Sequence, residues 1–136
     1  MSDTATNPAP STTAAGFPVT WFEIGTSDPA AAKAFYGDVF GWTFSPEGPY
    51  TMVTTGPDHA IGGGVNDTSG PVQDGTPTTY AVFYVQVDDV ATSCTAVEDA
   101  GGKVIVGASS TPDGIVFAHV ADPAGNHLGL WKPPAG

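Results

Sequence analysis

The chain of 136 residues has no arginine and only three lysines, Lys33, Lys103 and Lys132, against 14 Asp and Glu, for a formal net charge of −11. Nucleic-acid binding needs clustered cations to displace counterions, and three scattered lysines cannot supply them. An anionic membrane surface would repel the chain for the same reason. Without arginine there is no bidentate fork for a phosphate or dicarboxylate. The lone Cys94 excludes an intrachain disulfide and a cysteine-based zinc cluster, and fits a reducing compartment. No apolar run reaches the roughly 18 residues of a membrane-spanning helix. The N-terminus offers neither a basic region nor an apolar stretch of the secretory kind. These absences predict a cytoplasmic protein whose partner is a small molecule, neutral, cationic or only weakly anionic.

What is present is small and neutral. Only 12% of residues are charged, while Gly numbers 18 and Pro 13. The 40% hydrophobic content supports a folded chain, and this length buries roughly two-thirds of its unfolded surface in one domain. Residues 1–16, MSDTATNPAPSTTAAG, are too polar to offset ordering and read as a disordered tail. The folded domain is expected over 17–134.

Two similar patterns follow. In the first, VTWFEIG (19–25) is β-branched and aromatic, as a strand requires. Ser27-Asp28-Pro29 starts a helix, with a capping side chain and Pro in the first turn. The helix runs over Ala30–Phe40 and stops at Gly41. Strands are expected at Trp42–Phe44, Tyr50–Thr55 and a glycine-weakened Ala60–Val65. A linker of turn-forming residues fills 67–79. In the second pattern, Tyr80–Val87 is a strand, Asp88-Asp89 caps a helix over Val90–Ala100, and Gly101-Gly102 ends it. Strands Lys103–Val106, Ile115–Val120 and His127–Trp131 follow, with a DPAGN turn at 122–126. An offset of 61 residues carries Phe22 onto Phe83, Asp28 onto Asp89 and Gly41 onto Gly102. The chain therefore reads as a duplicated βαβββ module, about 17–66 and about 80–134.

Three stretches, WFEIGTSDPAAAKAFYGDVFGW, YVQVDDVATSCTAVEDAGGKV and FAHVADPAGNHLGLW, resemble the vicinal-oxygen-chelate superfamily of glyoxalases, extradiol dioxygenases and bleomycin- and fosfomycin-resistance proteins. The resemblance implies an α+β fold in which two βαβββ modules form an open barrel with the helices outside and a cavity between the modules. It also implies a homodimer. It says little about the reaction, because the superfamily hosts many chemistries and plain binders.

Metal-dependent members of that family carry His or Glu at equivalent strand positions. In this sequence those positions fall on Trp21, Val82 and Gly129, and the fourth falls near Gly62. None offers an imidazole or carboxylate, so no metal site and no cofactor are expected. His59, His119 and His127 show no HxH, HxxxH or HExxH spacing.

Strand alternation turns Phe22, Ile24, Phe83, Val85, Val87, Leu128 and Leu130 toward the helices. It leaves Trp21, Glu23, Val82, Tyr84, Gln86, His127, Gly129 and Trp131 for the cavity. Glu23 stands out, because ionisable side chains seldom sit inside an apolar strand unless paired or functional. It reads either as a cavity acid/base or as a carboxylate satisfied by neighbours. His119, amid FAHVA, reads either as its catalytic partner or as a packed histidine. The expected ligand-binding set is Trp21, Glu23, Val82, Tyr84, Gln86, His119, Gly129 and Trp131. Aromatic walls suit a planar guest, although the rings could equally fill the space themselves. The leading expectation is a metal-free small-molecule-binding protein. The alternative is a glyoxalase-like isomerase, lyase or dioxygenase, working through Glu23 or through displaced metal ligands.

Overall fold

A computed structural model describes residues 16–45, 50–72 and 75–134. The tail expected over 1–16 lies, apart from the exposed Gly16, outside these residues.

The chain forms a mixed α+β fold of two βαβββ modules. Module one comprises β1 (Val19–Thr26), α1 (Pro29–Phe40), β2 (Thr43–Phe44), β3 (Tyr50–Thr54) and β4 (Gly62–Asp67). Module two comprises β5 (Tyr80–Gln86), α2 (Val90–Asp99), β6 (Lys103–Ser110), β7 (Val116–Ala121) and β8 (His127–Lys132). All eight strands join one open sheet in the order β2-β3-β4-β1-β5-β8-β7-β6. Each module places its first strand parallel to its last, β1 with β4 and β5 with β8. The modules meet through the antiparallel pair β1–β5, where Phe22 faces Phe83, the two residues the repeat had aligned.

Both helices start by the same device. The Asp28 carboxylate accepts the Ala31 N–H at 3.1 Å, and the Asp89 carboxylate accepts the Thr92 N–H at 2.8 Å. Such caps satisfy amide donors that the first turn cannot pair internally. Gly41 ends α1 in the left-handed region at φ 75°. After α2 that conformation belongs to Gly101, at φ 94°. Gly102, expected to mirror Gly41, instead makes room for the Ala121 carbonyl, which a Cβ there would meet at 2.6 Å.

The helices cover their modules unequally. α2 sends Val90 and Cys94 into a core with Val87, Ala118, Val120 and Leu130. α1 has no buried residue; its Tyr36 stacks on Trp42 at 5.1 Å, beside a smaller core of Ile24, Val53 and Val65. Phe83 was expected to be covered by a helix but stays 47% exposed. It lies at the seam between modules, while α2 packs on β6, β7 and β8 and α1 on β4, so neither helix reaches it. β6 runs to Ser110, beyond the expected Val106, with register shifts that let it bend along β7.

Candidate functional site

A cavity of about 620 Å³ opens between the modules, within the ~300–1,000 Å³ typical of small-molecule sites. Module one contributes Trp21, Glu23, Tyr50, Met52 and Asn66. Module two contributes Tyr84, Phe117, His119 and Trp131, with Thr111, Asp113 and Ile115 from the β6–β7 turn. Trp21 and Trp131 stand 6.0 Å apart at 47°. Both rings border the cavity. Trp131 is held in place: its indole N–H donates to Thr20 at 3.0 Å, and the Thr20 hydroxyl donates to Gln86 at 3.0 Å.

Glu23 is buried, with 6% exposure. The Tyr80 hydroxyl donates to its Oε2 at 2.5 Å and the Tyr84 hydroxyl to the same oxygen at 3.2 Å. Burial pushes its carboxyl above the usual range; hydrogen bonds from Tyr80, Tyr50 and Tyr84 pull the other way without cancelling that push. The three phenols are pushed up, first by burial and then by the Glu23 charge. Tyr50 is oriented by the Trp21 indole N–H at 2.8 Å, and Tyr80 by the Asn66 amide at 3.2 Å.

Glycines make room for these rings. Tyr50 lies over Gly64, Tyr80 over Gly25 and Tyr84 over Gly129, each so close that a Cβ would collide with the ring. Trp21 covers Gly62 in the same way, with a Cβ–ring distance of 2.8 Å. The GGG run of β4 thus serves close approach by aromatic side chains.

Beyond Tyr84 the polar chain continues. The Tyr84 hydroxyl lies 3.2 Å from His119 Nε2, and His119 Nδ1 lies 2.8 Å from His127 Nε2. Burial, and then the neighbouring His127, lower the His119 pKa to about 4. His127 is lowered too, by burial. Both rings are therefore neutral near pH 7.

The model of the Glyoxalase/Bleomycin resistance protein/Dioxygenase superfamily matches residues 19–130. The chain belongs to this superfamily. CFP32 of Mycobacterium tuberculosis, a glyoxylase by name, is 30% identical over 121 residues, covering 82% of this chain and 44% of that protein. DnrV of Streptomyces peucetius, an anthracycline biosynthesis protein by name, is 32% identical over 132 residues, covering 82% of this chain and 46% of that protein. The chain thus spans less than half the length of these relatives. Among solved structures, methylmalonyl-CoA epimerase from Mycobacterium tuberculosis superposes with a TM-score of 0.58 at 15% identity, covering 87% of this chain and 88% of that one. A superfamily member from Vibrio splendidus 12B01 gives 0.56 at 16%, covering 87% and 100%. These structural likenesses carry the fold alone.

The superfamily's metal-ligand positions, as the resemblance places them, do not fit a cation. The ladder pairs Trp21 with Gly62, Glu23 with Val82 and Tyr84 with Gly129. Indole, isopropyl and bare backbone stand where imidazoles and carboxylates would be needed. The space over the two glycines is taken by the Trp21 and Tyr84 rings. Among the described residues no three His, Cys, Asp or Glu converge elsewhere.

Of the eight expected ligand-binding residues, Trp21, Glu23, Tyr84, His119 and Trp131 border the cavity. Val82, Gln86 and Gly129 do not. Val82 sits opposite Glu23 while Tyr80 and Tyr84, two residues to either side, reach past it to the carboxylate. Gln86 is spent on Thr20, and Gly129 is roofed by Tyr84. The room Trp21 uses is over Gly62. Sequence reading missed Tyr50, Asn66, Tyr80 and Phe117.

Proposed function

We propose that the chain is a small-molecule-binding protein of the superfamily that holds a neutral or cationic, ring-bearing metabolite or antibiotic in a metal-free cavity. The cavity wall carries this reading: Trp21, Phe117 and Trp131 offer rings, Glu23 and Asp113 are its acids, and no lysine is among the lining residues. A planar guest gains by stacking on the rings, and Glu23 gives it one buried polar anchor. The anthracycline context of DnrV supports a polycyclic aromatic guest. The test is titration of tryptophan fluorescence with quinizarin, a neutral planar hydroxyanthraquinone. Saturable quenching that Trp131→Phe reduces supports the reading; an unchanged signal at the solubility limit opposes it.

A second reading, acid/base catalysis by Glu23, is favoured by its burial and raised pKa, which bring a carboxyl toward the range of a working base. A Glu23→Gln variant that keeps full turnover of an identified substrate would remove it.

We further propose a cytoplasmic homodimer paired through α1. Phe35, Val39 and Phe40 on that helix are 56%, 56% and 57% exposed, and the longer relatives have room for a second unit of this size in one chain. A second copy would cover that face.

A further inference from the structure

We propose that Tyr84, His119 and His127 form a proton path joining Glu23 to solvent behind a bound guest. The inference rests on the reading of Glu23 as the carboxyl that meets the guest. Four groups stand in unbroken contact: Glu23 Oε2 to the Tyr84 hydroxyl at 3.2 Å, that hydroxyl to His119 Nε2 at 3.2 Å, and His119 Nδ1 to His127 Nε2 at 2.8 Å. Glu23, Tyr84 and His119 are buried, with 6%, 4% and 5% exposure. His127 is half-buried and follows the exposed residues 123–126. The path therefore starts inside the cavity and ends at a turn on the surface.

The direction of the protons follows from the carboxylate. An ionised Glu23 can only accept, so Tyr84 donates to it. The Tyr84 oxygen then accepts from His119 Nε2–H, which leaves His119 Nδ1 bare to accept from His127 Nε2–H. Every hydrogen points toward Glu23. When Glu23 takes the Tyr84 proton, Tyr84 takes the His119 Nε2 proton. His119 takes the His127 proton on Nδ1, and His127 takes one from water on its own Nδ1. One proton passes from solvent to the carboxylate. Both imidazoles end neutral in the other tautomer, and no tyrosinate or imidazolium forms. That suits phenols and imidazoles whose charged forms this buried setting disfavours. The rings of Tyr80, 5.7 Å from His119 and 5.0 Å from His127, and of Phe117, 6.0 Å from His119, flank the path.

The chain has three histidines and three glutamates, so side-chain NMR and infrared signals are few enough to assign. In ¹⁵N-histidine-labelled protein without guest, at a pH where ¹³C-glutamate labelling shows Glu23 ionised, the path requires the proton of His119 on Nε2 and that of His127 on Nε2. Finding His119 protonated on Nδ1 would overturn it, whether or not any guest binds. A pH jump on ¹³C-glutamate-labelled protein saturated with quinizarin then reads the rate at which Glu23 gains its proton. His127→Gln keeps an N–H donor but cannot relay, so it should slow that rate by about tenfold or more and leave quinizarin affinity unchanged. An unchanged rate with quinizarin bound would refute the path. Failure of quinizarin to bind would count against the proposed guest alone, because the tautomers are read in the free protein.

Discussion

Tyr84 and His119 stand on strands that are not neighbours, and they meet across Gly129. The register places Gly129 opposite Tyr84 on one side and opposite His119 on the other. Because Gly129 has no side chain, the Tyr84 ring lies on it and brings its hydroxyl to His119 Nε2 at 3.2 Å. A methyl group at this position would sit 2.5 Å from the ring. Gly129→Ala should therefore destabilise the protein by about 1–3 kcal/mol, the usual cost of overpacking. Urea denaturation measures this, and the midpoint should fall without a change in slope.

Glu23→Gln should remove a buried ionisable group. The folded-state pKa of Glu23 lies above its unfolded value. Its protonated form thus favours folding, and that contribution is lost as pH rises through the folded pKa. The parent should lose stability as pH rises from the unfolded pKa of Glu23 through its raised folded pKa, and the variant should lack that loss. Thermal melts of both proteins across a pH series check the sign.

His119 acts in the opposite sense. Its pKa falls from 6.5 to about 4 on folding, so the unfolded chain binds the extra proton between those values. Stability should fall as pH drops through that window, by at most on the order of 3 kcal/mol. In His119→Gln this share of the acid sensitivity should be absent. The stability difference between parent and variant, plotted against pH, should change between pH 6.5 and 4 and be flat above.

Phe40→Asp should shift sedimentation toward the monomer. The ring is exposed on a helix with no buried residue, so the change leaves the core intact. Unchanged far-ultraviolet circular dichroism would separate lost pairing from lost folding. A wild-type protein that sediments as a monomer at all concentrations would dispose of the homodimer.

Part of this arrangement is legible in the sequence, for local reasons. Asp28-Pro29 and Asp89 mark the helix starts because a cap and its amide lie three residues apart. Glu23 is conspicuous because a carboxylate inside WFEIG needs an explanation wherever the strand goes. Trp21, Tyr84 and Trp131 follow from alternation within single strands. The remainder depends on register between strands, which local pattern does not encode. Tyr80 reaches Glu23 because β5 pairs with β1 so that Tyr80 faces Gly25. Tyr50 reaches the same site because β3 pairs with β4 and its ring crosses Gly64. The GGG run reads as a weakened strand and does not say which rings lie on it: Trp21, Phe22 and Tyr50. Phe83 breaks the helix-facing pattern because coverage depends on where both helices end up, not on its own strand.

The most direct test of the account is a calorimetric comparison of three planar tricyclic probes on the native protein: cationic proflavine, neutral quinizarin and anionic anthraquinone sulfonate. A cavity with aromatic walls, a buried carboxyl and no lysine among its lining residues predicts saturable one-to-one binding of proflavine and quinizarin, rejection of the sulfonate, and a larger loss for proflavine than for quinizarin in Glu23→Gln. Binding of the sulfonate as tightly as the other two, or a requirement for added divalent metal, would contradict it.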